Sequence, residues 1–134
     1  MLQAYSTDIT VGANAAIPFN NVSLVKGRTA VLSAPSSIQL NKAGIYFITV
    51  NGSITPDADG DVSIQLTKNG IPQPQAISTG TGATGSPTAL AFSTFVQVSE
   101  NNTCACYSSP TVINILNSSA GTFSNVNVTV SKIC

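Results

Sequence analysis

Apolar and polar residues alternate along most of the chain, in runs too short and too regular in period two for helices. The clearest are 4–11, 15–19, 29–34, 36–40, 44–54, 61–69, 89–98, 111–117 and 122–133. Between them lie turn-forming stretches such as "NKAG", "PDADG", "KNGIP" and "SSAG". Many short strands punctuated by Gly, Pro and Asn predict an antiparallel sandwich or barrel. Two hairpins are expected, one about Asp59-Gly60 and one about the "NSSAG" segment. In the last strand Val126, Val128 and Val130 share one face, opposite Asn125, Asn127 and Thr129. One face should therefore be buried and the other polar or in contact with a neighbour. The small-residue stretch "AISTGTGATGSPTA" (76–89) reads as a long exposed loop. The pattern shows no internal repeat and no second domain, so residues 1–134 are expected to form one domain, with 1–14 an N-terminal strand or docking segment.

The central run 44–54 departs from simple alternation. Ile45, Phe47 and Thr49 point one way, and Tyr46, Ile48 and Val50 the other, so both faces are largely apolar. Tyr5, Tyr46, Phe47, Phe92, Phe95 and Phe123 cannot all lie on one face of one sheet. One face of the central strand is expected inside the sandwich and the other beneath another layer or subunit. Tyr46, Phe47, Ile48, Phe92, Phe95 and Phe123 are thus the candidates for core or subunit interface.

Composition sharpens this picture. Hydrophobic residues make up 43% of the chain and charged residues only 7%, against about 25% in typical globular proteins. Polarity comes instead from Ser, Thr, Asn and Gln. The formal net charge is zero, which gives no attraction to nucleic acid and little colloidal repulsion, and suits a protein living within an assembly. No run approaches the roughly 18 apolar residues of a membrane helix, and the first residues lack the basic and apolar regions of a signal peptide. From Met1 onward the chain reads as a complete protein made in a cytosol.

Chemistry is sparse. There is no His or Trp, so serine–histidine and cysteine–histidine catalysis are excluded, and no enzyme activity is expected. Asp57, Asp59 and Asp61 alternate in "PDADGD", where their oxygens could surround calcium. Without an EF-hand register, a solvated turn is the favoured reading. The glycines of "STGTGATGSP" have no adjacent Lys and no following helix, so a phosphate loop is not supported. No cofactor is expected. The three cysteines are Cys104, Cys106 and Cys134. A hairpin about "SSAG" would set residue 134 opposite residue 105, making the three sulfurs neighbours. A disulfide from Cys134 to Cys104 or Cys106, free thiols, a link between subunits and a metal site remain open, the last disfavoured by the lack of a fourth ligand.

The block "LNKAGIYFITVNGSI" (40–54) resembles the globular heads of the tumour necrosis factor and complement-type jelly-roll superfamily. "VSIQLTKNGIPQP", "STFVQVSENNT" and "FSNVNVTVSKI" resemble later strands of that family in order, so the likeness spans about residues 19–133. It is nearest to the bacterial and bacteriophage branch of spore-surface filament heads and virion fibre or decoration proteins. Glu100-Asn101-Asn102 stands where relatives carry a Gly-Asp turn, and no Gly-X-Y repeat is present. The resemblance implies an all-β, antiparallel jelly-roll sandwich of about eight to ten strands that forms a homotrimer. The expected function is that of a structural protein on a bacteriophage virion surface: a capsid decoration, head fibre or tail-associated trimer. Other virion proteins and a host-surface glycan are the expected partners, with no nucleic acid and no membrane insertion. A carbohydrate- or receptor-binding head, or a spore-surface filament head, is the alternative. In such a trimer the N-terminal segment is expected either to add to the edge of the sheet or to insert into a partner protein, with pairing within the trimer favoured.

Overall fold

The computed structural model describes residues 1–98 and 111–133. They form eleven strands: β1 (Leu2–Val11), β2 (Ala15–Ala16), β3 (Asn21–Val25), β4 (Ala30–Ala34), β5 (Ser37–Leu40), β6 (Gly44–Pro56), β7 (Gly60–Lys68), β8 (Ile71–Gly82), β9 (Thr88–Val98), β10 (Thr111–Asn117) and β11 (Gly121–Lys132). Two antiparallel sheets result. Sheet A runs in the order β3-β1-β11-β6-β9, and sheet B in the order β4-β5-β10-β7-β8, with β2 also pairing β10. Among the described residues no helix is long and apolar enough to cross a membrane.

The alternation explains the core. Tyr46, Ile48, Val50 and Ile54 of β6, Val126, Val128 and Val130 of β11, and Val62, Ile64 and Leu66 of β7 are all buried. Ile113 and Ile115 of β10, beside β7 in sheet B, complete the core against β6 and β11. A bulge between Phe123 and Asn125 shifts the register of β11 against β6, so Phe123 and Val126 both turn inward. This is the valine face expected from the last strand.

Neither expected hairpin forms. The Asp59-Gly60 turn joins β6 of sheet A to β7 of sheet B, and "NSSAG" joins β10 of sheet B to β11 of sheet A. Both turns are corners between layers, and the two corners bond each other. Asp57 N–H donates to Ala120 O at 3.0 Å, and Ser118 N–H to Ser63 O at 3.0 Å. Pairing of β6 with β11 thereby continues around the corner into pairing of β7 with β10. Backbone groups at each corner are satisfied by the remote strand rather than by the local one.

Hairpins form instead at β4–β5 and at β7–β8, the latter closed by Asn69 and Gly70 with φ of 52° and 82°. Two successive positive φ values suit the twist of a two-residue hairpin, and Asn-Gly supplies them with least strain. The expected loop 76–89 is therefore corrected: residues 76–82 belong to β8, paired from Ile77↔Gln65 to Gly82↔Gly60. Its small residues reflect crowding. A Cβ on Gly82 would lie 2.9 Å from both Pro56 Cγ and Val62 Cγ1. Here the edges of the two sheets meet, and Ala91 N–H of β9 donates to Ser78 Oγ of β8 at 3.2 Å.

The N-terminal segment, expected at the edge of the sheet or docked on a partner, is a strand one place in from the edge of sheet A. β1 lies inside its own chain's sheet, paired with β11 along its length and with β3 over Leu2–Tyr5.

Candidate functional site: the uncovered face of sheet A

The inward residues of β6 are consumed by the core, but the outward ones have no facing layer among the described residues. Phe47 of β6 stands directly opposite Phe95 of β9. Their ring centroids are 5.2 Å apart with a 50° tilt, within the range of favourable aromatic pairs. Phe95 is 59% exposed, Phe47 36%, and Tyr5 on β1 38%. Such solvent exposure of a paired aromatic set is unusual on a sheet face unless something covers it.

Around this pair the face is polar without charge. Asn127 Nδ2 of β11 donates to Asn51 Oδ1 of β6 at 2.7 Å, its direct cross-strand partner. Thr129 lies opposite Thr49, and Thr49 opposite Ser93. Ala89 and Ala91 continue β9 beside Ser53 and Asn51. Across β1, β11, β6 and β9, the outward positions within the paired ladders hold no Lys, Arg, Asp or Glu between Asp8 and Lys132. A solvated sheet face usually carries charge, and a covered one sheds it.

The core-or-interface candidates thus divide. Tyr46, Ile48 and Phe123 are buried in the core, Phe92 packs half-buried against it, and Phe47 and Phe95 form the uncovered pair. Tyr5 and the Asn51–Asn127 pair belong to this face as well. Alternation alone places each on one side of its strand; the β1–β11–β6 register needed to bring them together is a long-range property.

Of the three alternating aspartates, Asp59 makes side-chain hydrogen bonds within the chain. Among the described residues no three His, Cys, Asp or Glu side chains converge as a metal site. Asp59 Oδ1 instead accepts Thr84 N–H at 2.7 Å and the Thr84 hydroxyl at 3.0 Å, bracing the turn between β8 and β9. These bonds, the backbone one first, hold its carboxyl below the ordinary carboxylate range. Cys104, Cys106 and Cys134 lie outside the described residues. The β10–β11 hairpin that was to align them is absent: β10 pairs β2, β5 and β7, while Lys132 pairs Tyr46.

No known family's sequence profile matches the chain, and no curated protein sequence matches it. Solved structures do. The globular domain of zebrafish complement 1qA protein superposes with a TM-score of 0.68 at 7% identity, covering 99% of this chain and 96% of that one. Murine APRIL gives 0.66 at 10% identity, covering 98% of both chains. Eiger TNF from S. frugiperda gives 0.62 at 10% identity, covering 99% of this chain and 92% of that one. The fold is the jelly roll shared by tumour necrosis factor and complement-type heads, as the resemblance implied.

Proposed function

We propose that this chain is a non-enzymatic assembly module that forms a homotrimer through the uncovered face of sheet A. The observation carrying this reading is the exposed Phe47–Phe95 pair on a charge-free face. Covering such a pair removes apolar area worth about 1.5–3 kcal/mol per large side chain, with no ionic desolvation opposing it. The jelly-roll fold, and the trimer that the family resemblance implies, support the same arrangement.

Within that reading, the trimer serves on the surface of a bacteriophage virion, as capsid decoration, head fibre or tail-associated module, with other virion proteins and a host-surface glycan as partners. The resemblance of residues 19–133 to the bacterial and phage branch supports this, as does a composition with only 7% charged residues. Native mass spectrometry of wild type and Phe95→Glu tests the assembly. Wild type is expected at three chains of 13.7 kDa and the variant at one. A wild-type monomer at micromolar concentration would refute the trimer. Immunodetection on purified particles tests the location, and absence from them removes the virion role.

A further inference from the structure

The zero net charge hides a sharp separation. All five basic residues gather at one end of the sandwich. Lys26 follows β3, its N–H donating to Met1 O at 2.9 Å. Asn41 donates to the carbonyl of Arg28 at 2.8 Å, and Lys42 N–H donates to the hydroxyl of Tyr46. Lys132 pairs with Tyr46, and Lys68 Nζ reaches Gln97 O at 2.6 Å. The four described acids lie toward the opposite end. Asp57, Asp59 and Asp61 occupy the β6–β7 corner, and Asp8 sits on β1 three residues before Val11, the partner of Gly121. The fifth acid, Glu100, is outside the described residues. Between the groups β6 runs from Tyr46 to Pro56, roughly 33 Å at ~3.3 Å per residue. That exceeds the Debye length of about 10 Å at 0.1 M salt, so the ends do not neutralise one another.

We propose that copies of this protein associate end to end, the basic end of one seating on the aspartate end of the next. Charge complementarity is the argument, and both complementary surfaces belong to the same chain. Nor does the contact compete for the sheet A face, whose paired outward positions hold no charge. In its symmetric form the inference rests on the proposed trimer. A rotation about an axis along the strands gathers three basic ends on one side and three acidic ends on the other. Such trimers match in symmetry when stacked, and a head-to-tail contact of this kind does not close on itself. Three simultaneous weak contacts also reinforce each other.

Sedimentation velocity of the whole chain at about 10 mM and about 300 mM salt tests this. At low salt the weight-average mass is expected to rise about twofold or more, in whole-trimer steps, and to return to a single trimer at high salt. K26E/R28E/K42E and D57K/D59K/D61K should each abolish the rise, and mixing the two should restore it. D57K/D61K keeps the Asp59–Thr84 contacts and serves if the triple variant is unstable. Equal mass at both salts, or reversed variants that associate like wild type, overturns end-to-end association. Polyphosphate bound through the basic end by a protein that never stacks would likewise overturn it, assigning that end to a polyanion. Failure of the trimer reading is distinct, since it appears as single chains at high salt.

Discussion

The two faces of sheet A begin from similar material and end differently. On the inner face Tyr46, Ile48 and Val50 are fully buried against sheet B; on the outer face, one residue along, Phe47 and Phe95 remain in solvent. The inner face was spent on folding. The outer face carries aromatic rings and hydrogen-bonded amides but no charge, the composition of a surface shaped for association rather than for water. Substitutions on the inner face should therefore act on stability, and those on the outer face on assembly.

The largest effect is expected inside. Ile48→Ala removes a fully buried side chain and should destabilise the chain by about 2–5 kcal/mol, read by urea denaturation. Retention of wild-type stability would place β6 elsewhere than in the core. Outside, Phe95→Glu should leave the far-ultraviolet spectrum unchanged while shifting the protein from trimer to monomer in size-exclusion chromatography. If the same variant unfolds, the outer face belongs to the fold and the distinction between faces collapses.

Tyr46 marks the rim of the inner face, donating its hydroxyl to Lys42 O at 2.6 Å. Tyr46→Phe should cost about 0.5–1.5 kcal/mol by removing that part-buried bond. Burial raises the Tyr46 pKa, partly opposed by the Lys42 N–H. The native state thus keeps the proton more tightly than the unfolded chain. This contribution is full below the unfolded tyrosine value near ~10 and is lost as pH rises through the folded one. The Phe variant should lack that alkaline decline in melting temperature. A smaller effect is expected at Asp59, whose pKa is lowered. Its contribution is present above about 3.9 and is lost as pH falls through the folded value. Thr84→Val, which deletes the hydroxyl donor, should reduce the acid-side slope of melting temperature, and an unchanged slope would show the bond to be without consequence.

Strand interiors were legible because burial imposes a period of two, as Val126, Val128 and Val130 show. Partners were not. "PDADG" and "NSSAG" have hairpin chemistry, yet each turns the chain into the other sheet, because its hydrogen bonds are completed by the other corner. β8 was hidden for a steric reason: a Cβ would crowd Thr88 at Gly80, and Pro56 and Val62 at Gly82, so glycines interrupt the branched residues Ile77, Thr79 and Thr81 that would advertise a strand. β3 is exposed throughout and carries no burial signal. The site was half legible. Alternation turns Phe47 outward, but its meeting with Phe95, and that of Asn51 with Asn127, depends on registers between strands far apart in sequence.

If other copies of the chain cover the outer face of sheet A, as proposed, dissociation must uncover it. The most direct test is hydrogen–deuterium exchange combined with native mass across a dilution series. A three-chain species is expected whose β6 and β9 amides lose protection on dissociation, while β7 and β10 of sheet B keep theirs. A chain that is monomeric throughout, or a trimer whose protection changes only on sheet B, would contradict the proposal.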